Sequence, residues 1–308
     1  MSTQIRELSV GPFRGLEAGS GPVALLLHGF PDHPRTFRHQ LPALAAAGFR
    51  AVAPYMRGYG PGGPPADGRY DVAALAEDAV ALLDALDARE ACVFGHDWGA
   101  MAAYFTALSA SGRVRRLATA AVPYGPSFMR ALANDYAQQK RSWYMVFFQH
   151  AFAENAVAAN DFAFLERLWR DWSPDYTLPA DDLAFIDMLW ADWSPGHDAA
   201  EDVPHVKEAL RDPANLAAAL GYYRATLGAG YNDPALADVQ AAGQLDPPQP
   251  TLYLHGADDG CIGVDLVAGM ADYFPRGLRT EVVPNAGHFV HQEQPDLVNR
   301  LLVDFFRA

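Results

Sequence analysis

Cysteine is nearly absent: Cys92 and Cys261 are the only two in 308 residues, too few for a disulfide framework, and both are expected to be reduced. Positive charge is scarce as well. Lysine and arginine number 23 against 37 aspartates and glutamates, a formal net charge of −14, so no basic patch is available to neutralise phosphates. Nucleic acid and anionic membrane surfaces are therefore excluded as expected partners. No apolar run approaches the length of a bilayer span, and the opening MSTQIRELSV lacks the charged-then-apolar order of a secretory signal. A cytoplasmic chain with a small, non-anionic partner is expected, and self-association is left open. A helical H-E-x-x-H zinc motif is missing too. His255, Asp258, Asp259, His288 and His291 could cluster around a metal, but the H-x-x-H pair among them reads as loop, so neither metal nor cofactor is expected.

What is present is a chain that is 50% hydrophobic, enough for one large core or a core with an inserted subdomain. Short β-rich apolar runs alternate with Ala/Leu-rich helical stretches, the pattern of an α/β fold whose doubly wound, mostly parallel sheet is covered on both faces. Strands are expected at Val23–His28, Arg50–Tyr55, Ala91–His96, Leu117–Val122, Thr251–His255 and Arg279–Val283. Helices are expected at Pro34–Ala47, Tyr70–Ala88 and Trp98–Ser109. After Val122 the strand signal stops and aromatics concentrate, until DPPQP at Asp246–Pro250 restores the rhythm. The reading is a core at 1–122, a helical insert at 123–235 and a second core part at 236–308.

The insert repeats itself locally: LWRDWSP at Leu168–Pro174 and LWADWSP at Leu189–Pro195 hold four of the six tryptophans. Ser followed by Pro is a helix-start signature, so each copy is expected to end one helix and begin another. The tryptophans are read as packing rather than ligand contacts.

Chemistry centres on GHDWG, Gly95–Gly99, between an apolar strand and the helical run that begins at Trp98. Small residues on either side of Asp97 allow the sharp strand-to-helix turn that exposes a nucleophile above a sheet. An aspartate that merely caps the next helix is the plain alternative, and three further elements argue against it. LHGFP, Leu27–Pro31, closes the first apolar strand, where the Phe30 N–H could join that of Trp98 to bind an oxyanion; a cis peptide before Pro31 is compatible with that role. NAGHF, Asn285–Phe289, holds His288, a natural general base, whereas His291 is read as an ordinary surface or core histidine. HGADD, His255–Asp259, offers Asp258 and Asp259 to orient that base, in the order nucleophile, acid, base.

Together, HGFPD (His28–Asp32), RGYG (Arg57–Gly60), GHDWG, GADD (Gly256–Asp259) and the Gly287–His288 pair resemble the α/β-hydrolase-fold epoxide hydrolases, close relatives of the haloalkane dehalogenases. The motifs span both halves of the chain. The resemblance implies a helical cap in the insert and selects Asp259 as the orienting acid, three residues after Gly256. Some relatives place that acid after the strand preceding the cap, but AAVPY, Ala120–Tyr124, has no carboxylate. It also implies two cap tyrosines as proton donors to an epoxide oxygen: Tyr144, from YMVFFQ, and Tyr223, from GYYR, with Tyr222 as its alternative.

An aspartate side chain ordinarily titrates near 3.9 and is anionic at neutral pH, so it can attack an sp³ carbon without first losing a proton. The expected reaction opens a small apolar epoxide by forming an alkyl ester on Asp97, which His288-activated water then hydrolyses to a vicinal diol. Alkoxides need a proton donor whereas halides do not, which is why the tyrosines bear on the choice between sister chemistries. Haloalkane dehalogenation stays open through Trp98 and the cap tryptophans, although Phe30 stands where those enzymes typically carry asparagine or tryptophan. Fluoroacetate dehalogenases match less well, because arginine follows their nucleophile. A silent hydrolase fold serving as a small-molecule receptor is the remaining alternative, since fold alone does not exclude it.

Overall fold

The computed structural model describes residues 3–158, 183–227 and 245–308, together with residues 234, 237 and 241. The first copy of the tryptophan repeat lies outside the described residues.

The sheet has eight strands in the order β1-β2-β4-β3-β5-β6-β7-β8. They are β1 (Arg6–Val10), β2 (Phe13–Gly19), β3 (Val23–Leu27), β4 (Arg50–Pro54), β5 (Ala91–His96), β6 (Val114–Ala120), β7 (Thr251–Gly256) and β8 (Leu278–Val283). From β4 to β8 neighbours are parallel, whereas β1 and β2 form an antiparallel extension on β4. The expected strands are present to within a few residues. Two were not foreseen, because RELSV and FRGLEAG form an edge hairpin with one wet face and too few apolar residues to stand out; in β1 only Leu8 is fully buried. β6 begins three residues before the expected Leu117, because Arg115 and Arg116 interrupt the apolar run; Arg115 sends its guanidinium to the Phe306 carbonyl at 2.7 Å.

Continuous burial of β3 and β5 explains their lack of alternation: both lie at the sheet centre and are buried along their whole length. Hydrophobic clusters cover both faces of the sheet. The stretch expected as one helix from Pro34 divides into a 3₁₀ turn, Pro34–Phe37, and helix α1, Gln40–Ala46. Helix α2, Val72–Ala85, begins where Asp71 accepts a bond from the Ala74 N–H. Helix α3, Trp98–Ser109, has the expected bounds. Between β6 and β7 the described residues are helical and contain no strand.

Candidate active site

The carboxyl ends of the parallel strands deliver the site, as open α/β sheets do. Gly29 and Phe30 follow β3, Asp97 follows β5, and the turns after β7 and β8 carry Asp259 and His288. Asp97 has φ 53° and ψ −120°, a conformation L-residues seldom adopt. The surrounding chain enforces it: a Cβ on Gly99 would lie 1.9 Å from the Leu27 carbonyl oxygen, so the turn closes against β3 only because glycine is there.

The Asp97 carboxylate is held asymmetrically. Its Oδ1 accepts the Phe30 N–H at 2.7 Å, while Oδ2 lies 3.6 Å from His288 Nε2, just beyond hydrogen-bond length. Phe30 is thus seen donating to the carboxylate. Trp98, the other expected donor, opens α3 directly after Asp97, but only Phe30 makes that bond among the described residues. The Phe30–Pro31 peptide is cis.

Behind His288, Nδ1 donates to Asp259 Oδ2 at 3.0 Å. Asp259 Oδ1 accepts the backbone N–H groups of Cys261 and Ile262, both at 2.8 Å. Asp258 is exposed and Asp259 buried, so only one of the two candidate acids faces the imidazole. Burial alone would depress the His288 imidazole, but the Asp259 carboxylate, followed by that of Asp97, overcomes this and raises it to about 10. Burial pushes the Asp259 carboxyl upward; His288, then His255 and the Ile262 N–H, outweigh it and hold Asp259 below its usual range.

Above the carboxylate stand the two expected tyrosines. Tyr144 and Tyr223 are buried, with ring centroids 5.7 Å apart; Tyr223 lies edge-on to Trp98 at 5.0 Å and to Phe30 at 5.5 Å. Burial pushes both phenols well above their ordinary value, and the Asp97 charge adds to the shift. Both are therefore protonated at neutral pH. The Tyr144 hydroxyl lies 3.3 Å from Cys261 Sγ, and that of Tyr223 has no hydrogen-bond partner among the described residues. Tyr222 differs: its hydroxyl donates to the Arg57 carbonyl at 2.5 Å, so its proton is already committed.

Residues singled out for a metal do not converge as one group. His255 and His288 both approach Asp259, whereas His291 turns to Thr36 Oγ1 at 2.6 Å and shares a buried cluster with Asp32 and His96. In that cluster His96 Nδ1 and Asp32 Oδ2 are 4.0 Å apart, wider than the roughly 3.3 Å separating two ligands on one tetrahedral zinc. Burial drives the His96 imidazole down to about 3 and pushes the Asp32 carboxyl well above the usual carboxylate range.

The tryptophan repeat requires a correction. The helix Ala184–Trp193 ends at Ser194, but no helix starts at Pro195; the next begins at Val203. Ser194 spends its hydroxyl on Glu293 Oε1 at 2.6 Å instead of capping a new helix. Trp190 stacks on Phe289 with centroids 3.6 Å apart, and Trp193 packs edge-on to His288 at 5.1 Å and tilted against Tyr144 at 4.9 Å. Trp193, Cys261 and Phe148 were not expected as site wall; the repeated WSP was the signal for the first, the YMVFFQ run that holds Phe148 for the third, and nothing in the sequence marked Cys261.

Comparison with known proteins agrees with this architecture. Residues 22–295 match the family described as alpha/beta hydrolase fold. The chain is 31% identical to epoxide hydrolase A of Mycobacterium tuberculosis, over 95% of this chain and 93% of that one. It is 30% identical to epoxide hydrolase 2 of Siraitia grosvenorii, over 94% and 93% of the two chains. The crystal structure of epoxide hydrolase A from Mycobacterium thermoresistibile aligns with a TM-score of 0.72 at 27% identity, across 99% of this chain and 98% of that one. The chain belongs to the α/β-hydrolase fold family, and within it to the epoxide hydrolases. No helix among the described residues is long and apolar enough to cross a membrane.

Proposed function

We propose that the protein converts an epoxide to a vicinal diol in two steps, through an alkyl ester on Asp97, with residues 123–235 serving as the cap over the site. The observation that carries this reading is the division of labour around one carboxylate. Asp97 Oδ1 is bound by the Phe30 N–H, Oδ2 faces His288, and two protonated phenols lie close enough to feel its charge.

In the first step Asp97 Oδ2 attacks an epoxide carbon, the ring C–O bond breaks, and Tyr144 and Tyr223 supply hydrogen bonds and a proton to the oxygen that leaves as alkoxide. Esterification removes the negative charge beside His288 and with it part of what held the imidazole cationic. The tyrosine that gave up its proton is reprotonated by the one His288 releases, leaving neutral imidazole as base. Water then attacks the ester's acyl carbon while His288 Nε2 takes a proton, with Asp259 stabilising the imidazolium. The oxyanion develops on the Asp97 oxygen already bonded to Phe30, and the Trp98 N–H is the second donor in this reading. Collapse breaks the acyl C–O bond, the departing alkoxide takes the proton of the newly added hydroxyl to give the diol, and Asp97 is restored as carboxylate beside cationic His288.

The test is a paired panel of small apolar epoxides, such as styrene oxide, and haloalkanes, with products identified. Diol from epoxides, and little halide from haloalkanes, is the expected result. Haloalkane dehalogenation has one observation in its favour: the Trp193 indole N–H is buried without a partner among the described residues, next to His288. Halide release exceeding diol formation would transfer the assignment to that reaction. Binding without turnover of either class would leave a receptor.

A further inference from the structure

Three consecutive backbone N–H groups carry the base loop, and none of them bonds within it. Gly287 donates to Glu293 Oε2 at 2.7 Å, His288 to the Trp193 carbonyl at 3.0 Å, and Phe289 to Ser194 Oγ at 3.2 Å. Ser194 in turn donates its single hydroxyl proton to Glu293 Oε1 at 2.6 Å, so the serine is at once acceptor from the loop and donor to the carboxylate. The Trp193 carbonyl accepts a second bond, from Gly260 N–H at 3.0 Å, immediately after the acid Asp259. One peptide corner of the insert therefore touches the loop of the acid and the loop of the base together.

Contact this close is possible only where both core loops lack a side chain. A Cβ on Gly260 would stand 2.0 Å from the Asp192 carbonyl oxygen, and one on Gly287 would stand 2.5 Å from Ser194 Cα. Ser194 is buried, so water does not compete for these bonds, and an unpaired N–H left behind by its loss stays unpaired. Trp190, stacked on Phe289, fixes the same corner from the other side.

We propose that Ser194 and Glu293, with the Trp193 carbonyl, are positioning residues that hold the His288 imidazole in register for ester hydrolysis, so that the insert sets the second chemical step as well as covering the site. The inference rests on the two-step reading above. Asp97 attack needs no precise imidazole placement, because its carboxylate is oriented by the Phe30 N–H. Water activation does need it, since a base displaced by a fraction of its bond length loses the line between water and acyl carbon.

The test is rapid-quench kinetics with styrene oxide, which resolves ester formation from ester decay, combined with intact-mass detection of the ester. Ser194→Ala is expected to slow ester decay about tenfold, the worth of roughly one hydrogen bond, while ester formation stays within about twofold. Ester then accumulates in a variant that retains Asp97, His288 and Asp259. Ser194→Thr, which keeps the hydroxyl, is expected to recover most of the decay rate. Glu293→Gln, which presents an amide where two acceptors are needed, gives a second route to the same pattern should Ser194→Ala fold poorly. Equal slowing of both phases, or no slowing of decay in either variant, overturns the positioning role. His288→Gln separates this from the parent reading: ester in that variant without ester in Ser194→Ala overturns the clamp alone, and ester in neither overturns both.

Discussion

His288 gives its Nδ1 proton to Asp259 across 3.0 Å, and that single bond decides that Nε2 is the nitrogen turned toward Asp97. A ring rotated about its axis would lose the carboxylate partner and turn a carbon toward Asp97. Orientation and electrostatics thus come from the same contact.

The covalent scheme predicts that His288→Gln opens epoxide and then stalls. Intact-mass spectrometry should reveal a species heavier by one substrate, and peptide mapping should locate it on Asp97; Asp97→Asn should show no adduct. A wild-type mass in His288→Gln after exposure to a good substrate would contradict the scheme.

Removing the phenol hydroxyls separates the tyrosines by role. Tyr144→Phe and Tyr223→Phe are each expected to slow ring opening on the order of 10- to 100-fold, general-acid contributions being of that scale or above. The double variant should lose epoxide opening far more than any residual halide release. Tyr222→Phe should leave ring opening within about threefold and cost about 1 kcal/mol of stability instead, because its hydroxyl bonds Arg57. A turnover loss in Tyr222→Phe matching that of Tyr223→Phe would reverse the assignment.

Stability should depend on pH through both kinds of histidine. His288 is raised from 6.5 to about 10, so its contribution is complete below about 6.5 and fades as pH climbs through about 10. Thermal denaturation should register a decline over that window that is missing in His288→Gln. His28 is displaced the other way: burial lowers it from 6.5 to about 4, against the opposing Gly29 carbonyl and Asp97 charge, and its Nε2 accepts the Met56 N–H at 3.0 Å. Folding keeps it neutral where the unfolded chain would protonate it, which costs roughly 2 kcal/mol at about pH 5. Acidification from pH 7 to 5 should lower the melting temperature, less so in His28→Asn.

Gly99→Ala is expected to unfold or misassemble the turn. The added methyl would sit 1.9 Å from a backbone oxygen of β3, a clash relieved only by moving a central strand, and a loss of roughly 3 kcal/mol or more is expected from such overpacking. Urea titration measures it. A change under about 0.5 kcal/mol would mean that the turn tolerates a looser closure.

Much of the fold could be read along the chain wherever one segment carried its own signal. β5 and α3 begin and end where the apolar run and the GHDWG turn indicate, since a central strand is hydrophobic throughout and a sharp turn needs small residues. The β1–β2 hairpin escaped, because an edge with a wet face looks like a loop. GADD offered two acids with equal local merit; the family resemblance selected Asp259, and packing sets Asp258 in solvent and Asp259 against His288. Likewise GYYR offered two tyrosines, with Tyr223 preferred, and in the fold it is Tyr222 whose hydroxyl is spent on the Arg57 carbonyl.

By itself the sequence determined the residue types of the site and their order: a carboxylate in the tight turn after a buried strand, an acid after a late strand, a histidine near the end. Those are local properties, fixed by the period of burial and by which residues a turn admits. Tertiary structure decided which of two neighbouring candidates faces inward and which serves the surface, because adjacent side chains point in different directions and their partners lie far away in the chain. It also decided the use of Ser194. Read locally, Ser-Pro begins a helix; the approach of Glu293 and Phe289, about a hundred residues onward, draws its hydroxyl to the loop of His288.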